Sequence, residues 1–279
     1  MESQSCCTGT AVPENLDMDR PNGSRLYNYF LGGTSYLPVD RDAGEAITRA
    51  APHWALGARL TRTFARRAVQ TMAAAGIDQF LDLGSGIGAG GSVHELARLV
   101  TPDARAVYIH HEPIAYELSR ELIGEDPYAA VLKLDISDPD AVLNHPVTRG
   151  LIDFDRPVGV LVVGGFVFVP DEAGPAELLL RYRAALAPGS YLALSQVSDD
   201  SAHAEVSAEL EWVRKRYAAT SSPLHVRPRT EVASWFDGME LVEPGLVRYG
   251  RWRPEFPLTA AQLRCDYGYV GLGRVVGNR

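Results

Sequence analysis

The chain has 279 residues, of which 46% are hydrophobic and 22% are charged, a composition that predicts one large globular domain or one domain with an appended subdomain. Its formal net charge of −8 and its pI of about 5.4 argue against broad binding to nucleic acid or acidic membranes. No apolar run approaches the ~20 residues that a membrane-spanning helix needs, and no signal-peptide pattern opens the chain, so we expect a cytoplasmic protein without membrane contact.

The cysteines indicate no metal centre. Cys6 and Cys7 are adjacent in a polar segment and Cys265 is distant from both, which suits neither a disulfide framework nor a zinc site. We therefore predict reduced thiols and no bound metal.

The first part of the chain predicts a leader followed by helices. Residues 1–20 are polar and without periodicity, which is typical of a disordered leader. Apolar residues at helical spacing predict three helices over residues 21–76, the first ended by Gly32 and Gly33 and the last by Gly76. We interpret residues 21–76 as a helical N-terminal cap and residues 77–279 as an α/β domain.

From residue 77 onward, apolar strands alternate with amphipathic helices. Strands are predicted in QFLDLG, RAVYIHH, AAVLKLDI, PVGVLVVGGFVFV, YLALSQVS, MELVEPGLV and DYGYVGLGRVV, the fourth being long and continuous and the last compatible with an antiparallel strand. Helices are predicted in VHELARLVT, IAYELSRELIGE, AELLLRYRAALAPGS, HAEVSAELEWVRKRYAAT and TEVASWFDG, while DPDAVLNHPVTRGL is helix or loop. This alternation predicts a doubly wound, mostly parallel sheet.

A glycine-rich turn, LDLGSGIGAGG, follows the first predicted strand at residues 81–91. Gly84, Gly86 and Gly88 allow a tight turn and a close approach of the backbone to a ligand, and the N-terminus of the next helix favours negative charge. Alone, this spacing is also compatible with a turn that binds nothing.

The motifs RLYNYFLGG, LDLGSGIGAGGSVHELA, LDISDPDAVLNHP, FVPD, LAPGSYLALS, WFDG, LVEPGLV and RWRP resemble those of the actinobacterial S-adenosyl methyltransferase family, the DUF574 type, over about residues 20–279. The resemblance implies a seven-stranded class I methyltransferase fold, which is Rossmann-like, and disfavours a nicotinamide enzyme. It also implies that S-adenosylmethionine is held by Gly84, Ser85, Gly86 and Gly88 at its methionine part and by Asp135 and Ile136 at its adenine.

The chain departs from the family pattern where the second strand ends. The family has an acid that accepts hydrogen bonds from the ribose hydroxyls, and this chain has His110, followed by His111 and Glu112. A neutral imidazole accepts a hydrogen bond at one nitrogen, whereas a carboxylate accepts hydrogen bonds at both of its oxygens. Replacement of the acid by His110 therefore weakens cofactor binding by about 1.5–3 kcal/mol. Glu112 could reach the ribose in its place. Because successive strand residues point to opposite faces, we expect only one histidine to face the ligand.

Other polar positions near the predicted site also differ from the family pattern. Five residues are candidates for substrate binding. Arg25 would bind an anionic group, and Tyr27 and Asn28 lie beside the glycine pair. Gly165 would leave room for a substrate against the backbone, and Gln196 follows the fifth strand. Candidate bases are His110, His111 and Tyr36, although each histidine is equally compatible with a surface or loop-bonded imidazole.

Three hypotheses remain open. The first is an S-adenosylmethionine-dependent methyltransferase that acts on a small molecule of specialised metabolism by in-line positioning of a nucleophile and a base. The second is an enzyme that kept the fold, lost S-adenosylmethionine and catalyses elimination or intramolecular cyclisation of a biosynthetic intermediate. The third is a non-catalytic subunit; a homodimer or a small protein partner is compatible with all three.

Overall fold

Three helices precede the sheet in the computed structural model, which describes residues 16–84, 86, 91–201 and 203–277. They are α1 (Gly23–Phe30), α2 (Pro38–Ala50) and α3 (Trp54–Ala74). Gly32 and Gly76, which follow α1 and α3, have φ angles of 80° and 91°, a conformation that glycine adopts without steric cost at a helix end. The three predicted helices are confirmed. Most of the predicted leader lies outside the described residues.

Eight strands in the described part of the chain form one sheet. They are β1 (Gln79–Leu83), β2 (Arg105–His110), β3 (Ala129–Lys133), β4 (Gly159–Val162), β5 (Tyr191–Val197), β6 (Met239–Leu241), β7 (Val247–Arg248) and β8 (Gly268–Val275). The helices between them are α4 (Val93–Arg98), α5 (Pro113–Ile123), α6 (Pro139–Leu143), α7 (Pro146–Leu151), α8 (Pro175–Ala184), α9 (Ala204–Tyr217), α10 (Arg229–Ser234) and α11 (Ala260–Arg264).

The strand order is β3-β2-β1-β4-β5-β8-β6, and the short β7 pairs with β8 beside this path. Strands β1 to β5 are parallel to one another, whereas β8 runs antiparallel to β5 and β6. The doubly wound, mostly parallel sheet of seven strands and the antiparallel last strand are therefore confirmed, with β7 as an eighth, two-residue strand. Because β1 to β4 are parallel, their carboxyl ends meet at one edge of the sheet, where such folds bind ligands.

Three details of the structure differ from the predicted elements. The long fourth strand ends after Val162, because Gly164 has a φ of 82° and the chain then enters a short 3-10 turn, Phe166–Phe168. The segment MELVEPGLV divides into β6 and β7, and α11 was not among the predicted helices. The early end of β4 leaves the backbone of Gly164 and Gly165 at the ligand-binding edge of the sheet.

The core lies on both faces of the sheet. Along β1, Phe80 packs into a cluster with α1 to α3 and α9, whereas Leu81 and Leu83 pack into a second cluster with α6, α8 and α10. Each side chain of this kind contributes about 1.5–3 kcal/mol when it is fully buried. The strands are thus apolar on both faces, as their continuous apolar sequences predict. Within the described ranges, no helix has the length and apolar character to cross a membrane.

Candidate functional site

A crevice of about 280 Å³ opens where β1 to β4 end. We call it the edge crevice. Its floor is the backbone of Gly84, Gly86, Gly164 and Gly165, and its remaining walls are Asn22, Ser24, Tyr27, Ile109–Glu112, Asp135–Ser137, Phe168–Pro170 and Ser221–Pro223. The N-terminal helix α1 therefore contributes to a site whose floor is built by the sheet.

The glycine turn allows close packing at the start of the crevice. Gly84 and Gly86 both have φ angles of 80°, and a Cβ atom on Gly86 would lie 3.0 Å from Cδ1 of Tyr27. Glycine is thus required at residue 86 for both its backbone conformation and the approach of α1. Ser85 and Gly88, which complete the predicted cofactor loop, lie outside the described residues.

His110 ends β2 as a buried, uncharged group in the wall of the edge crevice. Its Nε2 atom lies 2.9 Å from Oγ of Ser119, and its side chain is 4% exposed. Burial lowers the pKa of the His110 imidazole to about 4, so it is neutral near pH 7. His111 is exposed and also lines the crevice. Both histidines therefore border the crevice, with the His110 side chain buried against Ser119 and that of His111 exposed.

The buried histidine predicts a pH dependence of stability. The folded pKa of about 4 lies below the ordinary value of 6.5, so this contribution is complete above about pH 6.5 and is lost as the pH falls through 4. Between about pH 7 and pH 4, wild type should lose about 3 kcal/mol more unfolding free energy than His110→Gln. Urea unfolding at several pH values measures this difference, and parallel curves for the two proteins would contradict it.

Glu112 is held by a buried ion-pair network. Its Oε2 accepts a hydrogen bond from the N–H of Ala115 at 2.7 Å, and its Oε1 lies 3.2 Å from Nη1 of Arg25. Arg25 also donates from Nε to Asp40 at 2.6 Å and from Nη2 to the carbonyl groups of Asp17 and Arg20. Burial raises the pKa of Glu112, and Arg25 and the Ala115 N–H oppose that shift. Arg25 thus pairs with two buried carboxylates, those of Asp40 and Glu112. The Glu112 carboxylate is therefore already engaged by Arg25.

Asp135 and Ile136 lie on the other wall of the crevice, after β3. Asp135 is exposed and its Oδ1 accepts a hydrogen bond from the N–H of Ser137 at 2.8 Å. The Tyr182 hydroxyl donates to the carbonyl oxygen of Ile136 at 2.9 Å. This wall therefore offers an apolar side chain beside an exposed carboxylate, which suits a flat base with an exocyclic amine.

A second, smaller hollow of about 70 Å³ adjoins the edge crevice. We call it the aromatic pocket, because seven of the residues that line it are Tyr27, Phe30, Trp54, Phe168, Tyr217, Tyr249 and Tyr267. Its other walls are Thr61, Val167, Ser195, Val197, Leu224, Gly23, Gly57, Ala58 and Gly164. None of these described lining residues carries a charge, and most of them are aromatic or apolar.

The two hollows share part of their lining. Tyr27, Gly164 and Phe168 line both. Gly164 has no atom within 4 Å of the position that a Cβ would occupy, so the space above its backbone is open. A molecule in the edge crevice and a second molecule in the aromatic pocket would therefore meet at Gly164.

The structure places four of the candidate residues away from both hollows. Arg25, the candidate for an anionic group, lines neither, because it is 1% exposed and paired with Asp40 and Glu112. Asn28 is buried and its Oδ1 accepts a hydrogen bond from the N–H of Ser35 at 2.9 Å. Tyr36 packs edge-on against Tyr29, with ring centroids 5.3 Å apart. Gln196 is fully buried and donates from Nε2 to the carbonyl oxygen of His225 at 2.8 Å. By contrast, Tyr27 and Gly165 line the edge crevice.

Sequence reasoning missed most of the aromatic pocket. Trp54 begins the long helix α3, Tyr217 ends α9, and Tyr249 and Tyr267 flank the last two strands. These residues are far apart in the sequence and each sits in an ordinary apolar pattern, so no local motif marks them. Only the packing of the N-terminal helices against α9 and β8 brings them together.

Comparisons with known proteins agree with this architecture. The sequence model of the S-adenosyl methyltransferase family matches residues 9–276. A candidate methyltransferase from Thermobifida fusca is 34% identical with a TM-score of 0.86, over 95% of this chain and 98% of that chain. A DUF574 family protein from Streptomyces avermitilis is 34% identical with a TM-score of 0.85, over 93% of this chain and 99% of that chain. No curated protein matches. The chain therefore belongs to the S-adenosyl methyltransferase family and has its class I methyltransferase fold.

Proposed function

We propose that this protein transfers the methyl group of S-adenosylmethionine to a small molecule. In this proposal the edge crevice holds the cofactor and the aromatic pocket holds the methyl acceptor. The observation that carries the proposal is the junction of the two hollows at Tyr27, Gly164 and Phe168. Methyl transfer requires two ligands in contact and in line, and a junction with open space above a glycine meets that requirement.

The residues of the edge crevice fit most of the cofactor. The left-handed glycines at residues 84 and 86 bring the backbone close to its methionine part, and Ile136 and Asp135 suit its adenine. At the ribose, the uncharged His110 and Ser119 pair replaces a carboxylate, so the hydroxyls would meet neutral partners. When bound, the cofactor supplies a methyl group that its sulfonium already activates.

The protein's own contribution is positioning and exclusion of water. The start of α1 is tied across the crevice, since Nδ2 of Asn22 lies 3.1 Å from the hydroxyl oxygens of both Ser221 and Ser222. The aromatic side chains enclose the acceptor in apolar surroundings. Because in-line approach alone removes much of the barrier to a bimolecular step, this arrangement needs few charged groups.

Calorimetry with S-adenosylhomocysteine tests the proposal. We expect binding with a Kd in the micromolar range, because the floor and the adenine wall are present and the ribose contact is weakened by about 1.5–3 kcal/mol. Heat that stays at the level of ligand dilution up to millimolar concentrations would refute cofactor use.

Two variants of His110 serve as matched controls. His110→Asp places a carboxylate at the ribose and should tighten S-adenosylhomocysteine binding by about tenfold, since hydrogen bonds to a charged acceptor are the stronger ones. His110→Asn has a similar size without the charge and should leave the Kd within about threefold of wild type. Equal affinities for the two variants would show that the ribose does not lie against residue 110.

One observation favours a second function. The neutral His110 stands where an acid is expected, and Glu112 is engaged by Arg25, so cofactor use could have been lost in favour of elimination or intramolecular cyclisation. The same calorimetry separates the two functions, because only the methyltransferase binds S-adenosylhomocysteine. Under the second function, His110→Asn would also abolish turnover while leaving the fold intact.

A further inference from the structure

We propose that the methyl acceptor is a weakly basic amine nitrogen or a thioether sulfur, and that the aromatic pocket binds the methylated, positively charged product group. This inference rests on the proposed methyltransferase function and specifies the chemistry of its acceptor. It follows from the walls of the pocket, from the lack of a base among the described residues that line it, and from its size.

The walls of the pocket form an aromatic box. The ring of Trp54 lies 5.1 Å from that of Tyr267 and 6.1 Å from that of Tyr217, measured between centroids, and Tyr217 stacks on Phe168 at 6.1 Å. Faces of aromatic rings attract cations, most strongly where water is excluded. A cationic group in this box would be favoured over an uncharged group of the same shape.

A carboxylate behind the box adds to this preference. The hydroxyl of Tyr267 donates a hydrogen bond to Oε2 of Glu209, which lies outside the lining of the pocket. This contact places a carboxylate beside the Tyr267 hydroxyl, so negative charge lies next to one wall of the pocket. Positive charge inside the pocket is therefore stabilised without a charged side chain in its lining.

The described residues that line the pocket include no group that would remove a proton from the acceptor. Burial raises the pKa of Tyr27, Tyr217, Tyr249 and Tyr267, so their hydroxyls stay protonated. His110 and His111 line the edge crevice but are not among the residues that line the aromatic pocket. Methylation of an alcohol or phenol needs such a base, whereas an uncharged amine or thioether has a free lone pair already.

The reaction is balanced without a proton acceptor. The lone pair of the acceptor nitrogen or sulfur forms the new bond to the methyl carbon. The bond between that carbon and the cofactor sulfur breaks, and its electron pair stays on the cofactor sulfur. The positive charge moves from the cofactor to the acceptor, which becomes an ammonium or a sulfonium inside the aromatic box.

The volume of the pocket limits what it encloses. A bound water molecule requires a volume of about 10–15 Å³. A pocket of about 70 Å³ therefore accommodates roughly five to seven atoms of that size. A trimethylammonium or dimethylsulfonium head group is of this size. The rest of the acceptor would extend towards the edge of the pocket.

We test this inference by comparing the binding of two ligands. One is choline, and the other is its uncharged carbon isostere, in which a tert-butyl group replaces trimethylammonium. Calorimetry is done on the full chain, with and without saturating S-adenosylhomocysteine. We expect choline to bind at least about tenfold more tightly than the isostere, because the two differ in charge and not in shape. Equal binding, or tighter binding of the isostere, would overturn the inference.

Two variants of Trp54 locate the effect. Trp54→Leu removes a ring of the box and should abolish the preference for choline, whereas Trp54→Phe keeps a ring and should retain most of it. A preference that survives in Trp54→Leu would place the choline site elsewhere and overturn the assignment. Binding of S-adenosylhomocysteine is measured separately, so its loss would refute the proposed function, whereas loss of the choline preference alone would refute only this inference.

Discussion

Replacement of Arg25 by methionine should lower the free energy of unfolding by about 3–5 kcal/mol, the largest stability effect that we expect in this protein. Arg25 is 1% exposed and faces the buried carboxylates of Asp40 and Glu112. Methionine fills a similar volume but leaves both carboxylates without their cation, and an unpaired buried charge is costly. Urea unfolding monitored by circular dichroism measures the change in midpoint and slope.

An exposed arginine provides the matched control. Arg20 pairs with Asp17 at 2.7 Å, but its side chain is 63% exposed, so Arg20→Ala should change stability by no more than about 1 kcal/mol.

The pH dependence offers a second check on Arg25. Burial already raises the pKa of Glu112, and loss of Arg25 raises it further. A raised folded pKa gives stability that is present below the unfolded pKa of about 4.5 and lost as the pH rises. The deficit of Arg25→Met should therefore shrink in acid, and a deficit that stays constant with pH would argue against unpaired carboxylates as its cause.

Replacement of Gly165 by alanine should reduce the affinity for S-adenosylhomocysteine by about tenfold or more and destabilise the fold by about 1–3 kcal/mol. A Cβ on Gly165 would lie 2.6 Å from the carbonyl oxygen of Leu83 and 3.2 Å from that of Gly84. The φ of Gly165 is −84°, which any residue adopts, so the cost is purely steric. Relief of the clash must separate the ends of β1 and β4, which form the floor of the edge crevice.

Gly150 is the control for this substitution. It is an exposed glycine within α7, and no atom lies within 4 Å of the place where its Cβ would stand. Gly150→Ala should leave cofactor affinity unchanged and stabilise the protein slightly, because alanine has the higher helix propensity. If Gly165→Ala matched Gly150→Ala in both measurements, the close approach of the two strand ends would not define the floor.

The sequence predicted the sheet well because its signals are local. Each buried strand has a continuous apolar run, and the glycines at residues 32 and 76 mark helix ends within a few positions of the true ones. The fourth strand was predicted too long, because its end depends on a single backbone angle. Gly164 has a left-handed φ, and apolar residues on either side of it give no sign of that.

The candidate site was only partly predictable because its contacts are long-range. Arg25 and Glu112 are 87 positions apart, so a sequence pattern cannot show that one engages the other. The departure at His110 was visible in the sequence, whereas its burial and its contact with Ser119 depend on how α5 packs beside β2. The aromatic pocket has the same origin, since its rings come from helices and strands at opposite ends of the chain.

The separate origins of the two hollows have a consequence for how this scaffold can diversify. Apart from Tyr27, Gly164 and Phe168, the residues that enclose the aromatic pocket are distinct from those of the edge crevice. Under the proposed function, exchanges at Trp54 or Tyr217 would alter which methyl acceptor fits the aromatic pocket without disturbing the strand ends that form the edge crevice. Evolution, or a protein engineer, can therefore change one specificity while the other is conserved.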